Sequence, residues 1–370
     1  MKILIVTNRV RTYALGFQNI IIPLQELGHE IIWAADFSKF IGNRTELPCR
    51  TVQIDLVSYP FHRTNLKALR QIKDIIKSEK IDAISCSTPI GGTLARIAAW
   101  QCGLKKNVIY AAHGFLFFKG VPFIKREIFR LHEALLAHIT DTLITITEED
   151  YHSACSFHLR NKNAKPFLVH GAGVNVGINP DKSKIEVRRE LGFSDDDILI
   201  VSAGDLNDNK NNIVVIRSLA YLPNNVKYII CGAGPRLQYL QDEAASIGVD
   251  GRVSFLGYRT DMKDIMAASD IFVMPSFREG VPRSILEAMD LFLPCVGSRT
   301  RGIADLIDEN EGGFLCNPKK PKEFADAFQH LATDPELRAK FGVHNNSKVA
   351  NYSADVVRKE LKEIYSTVIQ

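Results

Sequence analysis

The sequence predicts an α/β protein built from two doubly wound, parallel sheets, and three observations carry that expectation. Short apolar runs alternate with amphipathic helical stretches along nearly the whole chain, the pattern of strands buried on both faces beneath covering helices. The alternation breaks once, at the Gly-rich stretch Lys165–Asp181, which reads as a linker. A length of 370 residues is enough for two domains with cores of ordinary size. The expected division is a first domain over 1–172, a second over 173–350 and a closing helix over 351–370.

Taken in order, residues 2–7 form an apolar strand, and Asn8–Tyr13 a polar loop. A helix follows with Phe17, Ile20, Ile21, Leu24 and Leu27 at helical spacing, and Gly28 stops it before the strand Glu30–Ala34. Helix 65–78 then precedes strand 81–86, helix 91–102 precedes strand 107–111, and helix 122–138 precedes strand 141–146. Thr147 reads as the N-cap of a helix whose first turn carries Glu148, Glu149 and Asp150, acids that favour the positive end of the helix dipole. Beyond the linker come strand 197–203, helix 212–221, strand 226–231, helix 235–246, strand 252–256, helix 260–267 and strand 270–274. Strand 294–296, helix 303–308, strand 313–315, helices 321–333 and 335–343, and an amphipathic helix over 353–368 complete the chain.

Composition narrows the class. With 46% hydrophobic and 24% charged residues, the chain is of the soluble globular type. No stretch approaches the ~20 apolar residues of a membrane span, and no small-residue cleavage site follows MKILIVT, so no signal peptide is expected. The seven cysteines are scattered, with no CxxC, which suits a reducing, cytoplasmic setting and argues against a structural zinc site. The net charge of +4 conceals an asymmetry: residues 1–172 hold 22 Lys+Arg against 14 Asp+Glu, and the remainder 24 against 28. A basic first half suits a phospholipid surface or a phosphorylated acceptor, and equally an ordinary solvated surface. The run Phe115–Arg126 mixes Phe117 and other aromatics with Lys119, Lys125 and Arg126; it reads either as an element that dips into a bilayer or as a core loop and helix start. No nucleic-acid partner is expected.

The chemistry centres on Ser276–Met289, SFREGVPRSILEAM. Glu279 and Glu287 stand eight positions apart across Gly280-Val281-Pro282, with Glu279 in a loop and Glu287 inside the helix that follows. Pro282 suits the first helical position. The helix start between the two acids offers N–H groups and a positive dipole end to an anion. A ligand with hydroxyls at both ends and phosphates between them fits this layout, as a nucleotide sugar does. Arg283 lies in the first helical turn, near the expected phosphates, and is also i, i+4 from Glu287, a spacing that alone explains a surface ion pair. Lys210, on the polar loop after strand 197–203, is a second phosphate candidate. Gly232-Ala-Gly234-Pro235 lacks the third glycine of a dinucleotide fingerprint and reads as a tight turn that lets another group approach its backbone. His113, at a strand end beside Gly114, is either a donor or acceptor for a substrate hydroxyl or a satisfied loop histidine. No His or Cys cluster has metal-ligand spacing, and neither a metal nor another cofactor is expected.

These residues resemble the signature of the retaining glycosyltransferases of family 4, which have the GT-B fold. Glu279-x7-Glu287 with Gly280-x-Pro282 carries the likeness; Gly204-x-Leu206 with Lys210, Gly232-x-Gly234-Pro235, Phe255-Leu-Gly-Tyr258, Ala268-x-Asp270, Pro275-Ser276, Gly302, Gly312-Gly313-Phe314 and Pro318 continue it, and His113-Gly114 extends it into the first half. The resemblance implies two facing Rossmann-like domains, the first for acceptor and the second for donor, with the last helix crossing back to the first. It implies that Glu279 contacts hydroxyls of the transferred sugar, Glu287 the ribose and Lys210 the diphosphate, and that His113 reaches the donor sugar. Gly234, Tyr258, Gly280, Val281, Arg283 and Ser284 complete the implied donor site. Asp205 stands where the family often has arginine, which leaves Arg283 or Arg301 to supply the cation. Arg9 and Arg11 replace the family's Gly-Gly turn after the first strand and join the acceptor-side candidates. Gly-Asp-Leu-Asn-x-Asn-Lys together with His-Gly-Phe-x-Phe-Phe-Lys-Gly is similar to bacterial polysaccharide transferases acting on polyprenyl-diphosphate-linked sugars.

The implied activity is metal-independent, retaining transfer from a nucleotide sugar, with UDP the expected nucleotide, to a lipid-linked or oligosaccharide acceptor. The expected place is the cytoplasm, with contact at the inner, anionic face of the plasma membrane. Two other readings stay open at this point: another GT-B enzyme, such as a sugar-nucleotide epimerase or phosphorylase, and a sugar-nucleotide-binding module without turnover.

Overall fold

The computed structural model describes residues 1–59, 62–118 and 120–369. The chain divides into two compact units: Met1–Gly173 together with the stretch from Ala354 onward, and Val174–Ser353. In the first unit the elements are β1 (Lys2–Arg9), α1 (Leu15–Glu26), β2 (Glu30–Asp36), β3 (Arg50–Gln53), α2 (Thr64–Ser78), β4 (Ala83–Ser87), α3 (Pro89–Gln101), β5 (Val108–Ala112), α4 (Phe123–Ala137), β6 (Thr142–Thr145), α5 (Glu148–Ala154) and β7 (Phe167–Leu168). The strands form one sheet in the order β3-β2-β1-β4-β5-β6-β7, each pair parallel. The apolar runs have their reason here: all five positions of β4 are buried, because helices cover both sheet faces. Trp33 is fully buried and its indole N–H donates to the Thr7 hydroxyl at 2.9 Å, which satisfies its one polar atom.

The strand order reverses between β1 and β4, where the following loops part and leave a crevice. Asn8 braces it, accepting from the Thr88 hydroxyl at 2.7 Å and the Gly91 N–H at 3.1 Å. Thr88 is held there at φ +68°, a left-handed conformation that a β-branched residue rarely adopts.

The second unit contains α6 (Lys184–Leu191), β8 (Ile198–Ala203), α7 (Asn212–Ser218), β9 (Val226–Cys231), α8 (Leu237–Ser246), β10 (Val253–Gly257), α9 (Met262–Ala268), β11 (Ile271–Met274), α10 (Arg283–Asp290), β12 (Cys295–Ser298), β13 (Gly313–Cys316), α11 (Pro321–Thr333) and α12 (Pro335–Val349). Its parallel sheet runs β10-β9-β8-β11-β12-β13, with the switch between β8 and β11. The predicted helix over 303–308 is instead a run of turns, with Ala304 N–H bonded to Thr300 O and Ile307 N–H to Ile303 O; Ile303, Leu306 and Ile307 are core residues all the same. An unpredicted helix, α6, is closed by a reciprocal Ser183–Glu186 capping box and by Gly192 in the left-handed region.

The last helix, α13 (Ala354–Val368), belongs to the first unit and packs along α1. Val357, Leu361 and Tyr365 are buried at four-residue spacing, and Arg358 and Lys362 reach Asn19 and Glu26 at 2.8 and 2.7 Å. All seven thiols are free, and burial pushes those of Cys86, Cys231 and Cys316 up to about 12, which makes them inert at neutral pH. Among the described residues no helix is long and apolar enough to cross a membrane.

Candidate functional site

The switch point of the second sheet gathers the predicted residues. The loop after β8 carries Lys210 and the loop after β11 carries Glu279, and the Lys210 Nζ lies 2.9 Å from Glu279 Oε1. Both side chains are partly buried, 21% and 16% exposed, so the pair sits in the crevice and not on open surface. The Asn-rich segment that precedes α7 holds the two loops together. Asn209 donates to Arg278 O at 2.8 Å and accepts at its own carbonyl from Phe277 N–H. Asn211 donates to Pro275 O and to Pro318 O at 3.0 and 2.8 Å from a left-handed conformation, φ +52°, that asparagine tolerates. Asn207 caps the backbone N–H of Lys210 at 3.1 Å.

Two glycines set the backbone positions. A Cβ on Gly232, at φ +153°, would overlap the Gly204 carbonyl, and one on Gly302, at φ +77°, would overlap the Gly280 carbonyl. The Gly232–Gly234 turn thus admits the backbone of the 204–206 loop: Leu206 N–H donates to Ala233 O at 3.0 Å, and Arg236 N–H to Leu206 O at 3.1 Å. The group predicted to approach that turn is protein backbone, and Pro235 precedes α8 instead of opening it. Behind Glu279, the largely buried Arg301 directs its Nε toward the Glu279 carbonyl at 3.5 Å.

Gly280 and Val281 turn the chain into α10, with Arg283 and Ser284 in its first turn. Pro282 is the N-cap in extended conformation, ψ 115°, and not the first helical residue as expected. No side chain caps this end, so the N–H groups ahead of Ile285, whose own N–H bonds Pro282 O at 3.2 Å, remain available to an anion. Glu287 lies one turn further on. Burial raises its carboxyl above the ordinary value, and Arg283 opposes the shift; Arg283 itself lies 3.6 Å from Glu287, the spacing-based ion pair. Asp205 is exposed, as is Gly234, and Tyr258 is 82% exposed at the end of β10.

In the first unit His113 follows β5 and is solvent-accessible, beside a small cavity lined by Gly16, Ile144, Gly171 and Tyr365. The protein packed around it favours the neutral ring, while the accessible edge leaves it open to a ligand. Gly114 turns the chain at φ +128°. The buried Asp150 then accepts from Phe115 N–H at 3.2 Å, a loop-holding role beyond the capping expected of it. Thr147 does cap α5, at 3.3 Å from Asp150 N. Arg9 bonds Asp36 at 2.8 Å; against the burial that would raise it, hydrogen bonds from Ser38, Arg9 and Gln53 hold the Asp36 carboxyl down to about 2. Arg11 is exposed, as is Lys125, and Arg126 is half-buried. Phe117 corrects the bilayer reading of its run: it is 5% exposed, stacked on Phe115 at 4.7 Å and edge-on to Phe157, so it belongs to the core. Lys119 lies outside the described residues.

Folding also assembles what spacing did not reveal. Asp308, Glu311 and His344 come within ligand reach of one another, but Asp308 already bonds Lys348 and His344, each at 2.8 Å.

Comparison with known proteins gives consistent findings. Residues 183–347 match the family model for glycosyl transferases group 1, and residues 18–165 that for glycosyltransferase family 4. The chain is 33% identical over 353 residues to the putative glycosyltransferase EpsD of Bacillus subtilis strain 168, covering 92% of this chain and 90% of the relative. It is 26% identical over 315 residues to UDP-Gal:alpha-D-GlcNAc-diphosphoundecaprenol alpha-1,3-galactosyltransferase of Escherichia coli, covering 82% and 80%. Anabaena HepE, solved in complex with UDP, has a TM-score of 0.79 at 18% identity over 99% of this chain and all of that one.

Proposed function

The chain belongs to glycosyltransferase family 4, and from that premise we propose that it is a retaining, metal-independent enzyme that moves a sugar from a UDP-sugar to a polyprenyl-diphosphate-linked acceptor in surface polysaccharide assembly. The observation that carries the reading is the Lys210–Glu279 pair at the β8/β11 switch point, beside the uncapped start of α10. A bound nucleotide sugar draws Lys210 to its diphosphate and leaves the Glu279 carboxylate to accept from sugar hydroxyls. Lys210 and the α10 N–H groups meet the charge that develops on the leaving diphosphate. The acceptor hydroxyl attacks the anomeric carbon as the bond to the diphosphate breaks, and its proton passes to a phosphate oxygen on the same face. That path retains configuration without an enzymic nucleophile. We assign His113 to substrate binding. UDP as nucleotide is supported by the complex of HepE, and the acceptor class by the Escherichia coli relative, whose name specifies a diphosphoundecaprenol-linked sugar.

The test is a screen of UDP-sugars with undecaprenyl-diphosphate-linked monosaccharides, reading UDP release and the anomeric configuration of the product. UDP should also raise the melting temperature. No shift with UDP and no transfer from any UDP-sugar would overturn the donor assignment; an inverted product would overturn the retaining path.

Glu287→Gln should weaken UDP binding by roughly tenfold, the worth of a lost charge-assisted hydrogen bond, with kcat at saturating donor largely kept. The ribose contact needs the ionised carboxylate. Because burial raises the Glu287 pKa, UDP affinity should fall as pH drops through that raised value, earlier than for an ordinary glutamate. Titration calorimetry between about pH 7.5 and about pH 5 checks this; an equal decline in Glu287→Gln would remove Glu287 from the ribose.

A further inference from the structure

The second unit holds another opening besides the donor crevice. A cavity of about 340 Å³ lies beside the segment that leads into α7, walled by the start of α8, Phe277 and the turn before α11. None of Lys210, Glu279, Glu287 or Tyr258 lines it. Its walls include a polar side chain that the fold buries and uses only in part. Asn212 is 6% exposed, and its Oδ1 accepts from the Tyr228 hydroxyl at 3.0 Å. Tyr228 is fully buried and is held in turn by Ser202 at 2.8 Å. The amide oxygen is thus turned toward β9. Nδ2, on the other side of the same planar group, faces the cavity and has no partner among the described residues. Leaving a buried donor unpaired is costly, so this one calls for an acceptor.

The other walls say what that acceptor belongs to. The N–H groups of Gln238 and Tyr239, in the first turn of α8, have no partner among the described residues, and no side chain caps that helix; such a start favours an anion. Arg236 and Arg217 are engaged by Asp208 and Glu243, each at 2.6 Å. Lys319 is left as a lining cation with no ion-pair partner among the described residues. Donors and positive charge are therefore in surplus, which suits a phosphoryl group. Beside them Tyr239 and Phe277, 45% and 38% exposed, offer flat apolar surface to the C–H face of a sugar ring. Asp208, on the same wall, can accept from its hydroxyls. Small-molecule sites range over ~300–1,000 Å³. This cavity is at the low end, with room for one sugar ring and a phosphate and not for a nucleotide sugar.

We propose that this cavity is a second ligand site of the protein, for a small sugar phosphate. Asn212 Nδ2, the N–H groups that open α8 and Lys319 supply donors to the phosphoryl oxygens, and Tyr239 and Phe277 take the sugar ring. The site goes beyond the UDP-sugar reading and does not depend on it. It does abut the same loops: the Asn207 side chain, on its wall, caps the N–H of Lys210 at 3.1 Å, and Phe277 N–H bonds Asn209 O at 2.8 Å. A ligand held here rests against the segment that carries Lys210.

The experiment is titration calorimetry of glucose 6-phosphate, glucose and inorganic phosphate into the full-length protein, alone and saturated with UDP. Glucose 6-phosphate should bind equally well in both states, inorganic phosphate at least ~tenfold more weakly, and glucose not measurably. Asn212→Asp keeps an oxygen for Tyr228 but turns an acceptor on the cavity, and should abolish binding of glucose 6-phosphate. Lys319→Glu changes an exposed side chain; it should melt with wild type and weaken binding at least ~tenfold, so the test stands even where the buried substitution disturbs folding. Four results would each overturn the proposal: no binding of glucose 6-phosphate, glucose bound as tightly as its phosphate, displacement of the probe by UDP, or full affinity in Lys319→Glu. Failure of UDP itself to bind would count against the donor reading and leave this one to the titrations without UDP.

Discussion

Glu279→Ala is expected to lower kcat/KM by about a hundredfold to a thousandfold while the protein stays folded. The magnitude is that of losing one preorganised polar contact at the reacting centre, ~3–4 kcal/mol. The structure gives reason to place the loss in the chemical step. Glu279 is fixed through its backbone by the Gly302 approach and the Asn209 and Asn211 bonds to its loop, and its carboxylate already lies against the one lysine of the switch-point loop. Removing it takes away a hydroxyl acceptor near the sugar as positive charge develops there. It also leaves Lys210 without its carboxylate partner, so Lys210 should meet a diphosphate unopposed and UDP affinity should hold or rise. Loss of turnover with intact UDP binding is therefore the signature, read from steady-state kinetics and calorimetry together. Near-normal turnover would sink the role given to Glu279. Stability should change little, because the ion pair is partly solvated and such pairs contribute on the order of 1 kcal/mol or less.

That result would test a feature that was legible in the sequence, and it is instructive which features were. The strands were, because parallel strands covered on both faces must be almost uniformly apolar. The Glu279/Glu287 layout was, because it depends on local spacing across one turn and one helix start. Helix α6 was overlooked although Ser183-x-x-Glu186 and Gly192 mark both its ends; its solvent-facing composition hid the periodicity. Residues 303–308 have helical apolar spacing but fold as turns, since three side chains can reach a core without a regular helix. Phe117 was ambiguous because an aromatic next to cations reads alike in a core and at an interface, until its neighbours Phe115 and Phe157 are known. The Asn207–Asn212 clamp read only as polar loop, since its partners at Pro275, Arg278 and Pro318 are more than sixty positions away in sequence.

The pair Arg96–Glu133, 37 positions apart, is another contact that local pattern does not show, and its disruption should have the largest effect on stability. Arg96 Nη2 lies 2.9 Å from Glu133 Oε2, with side chains 1% and 8% exposed. The guanidinium also donates to Gly92 O at 3.0 Å and lies over the Tyr110 ring at 3.8 Å. Burial is the largest single influence and works against the charge on Arg96, yet its pKa is raised because Glu133, Tyr110 and Cys86 together outweigh it. Glu133→Ala removes that compensation and strands a cation in the core, at a cost of ~3–5 kcal/mol. The melting transition of the first unit should fall by on the order of 10 °C. Glu133→Leu/Arg96→Met should recover most of the loss, because a buried ion pair is often replaced by apolar side chains at little cost; a double variant as unstable as the single one would show that the deficit comes from packing and not from the stranded charge.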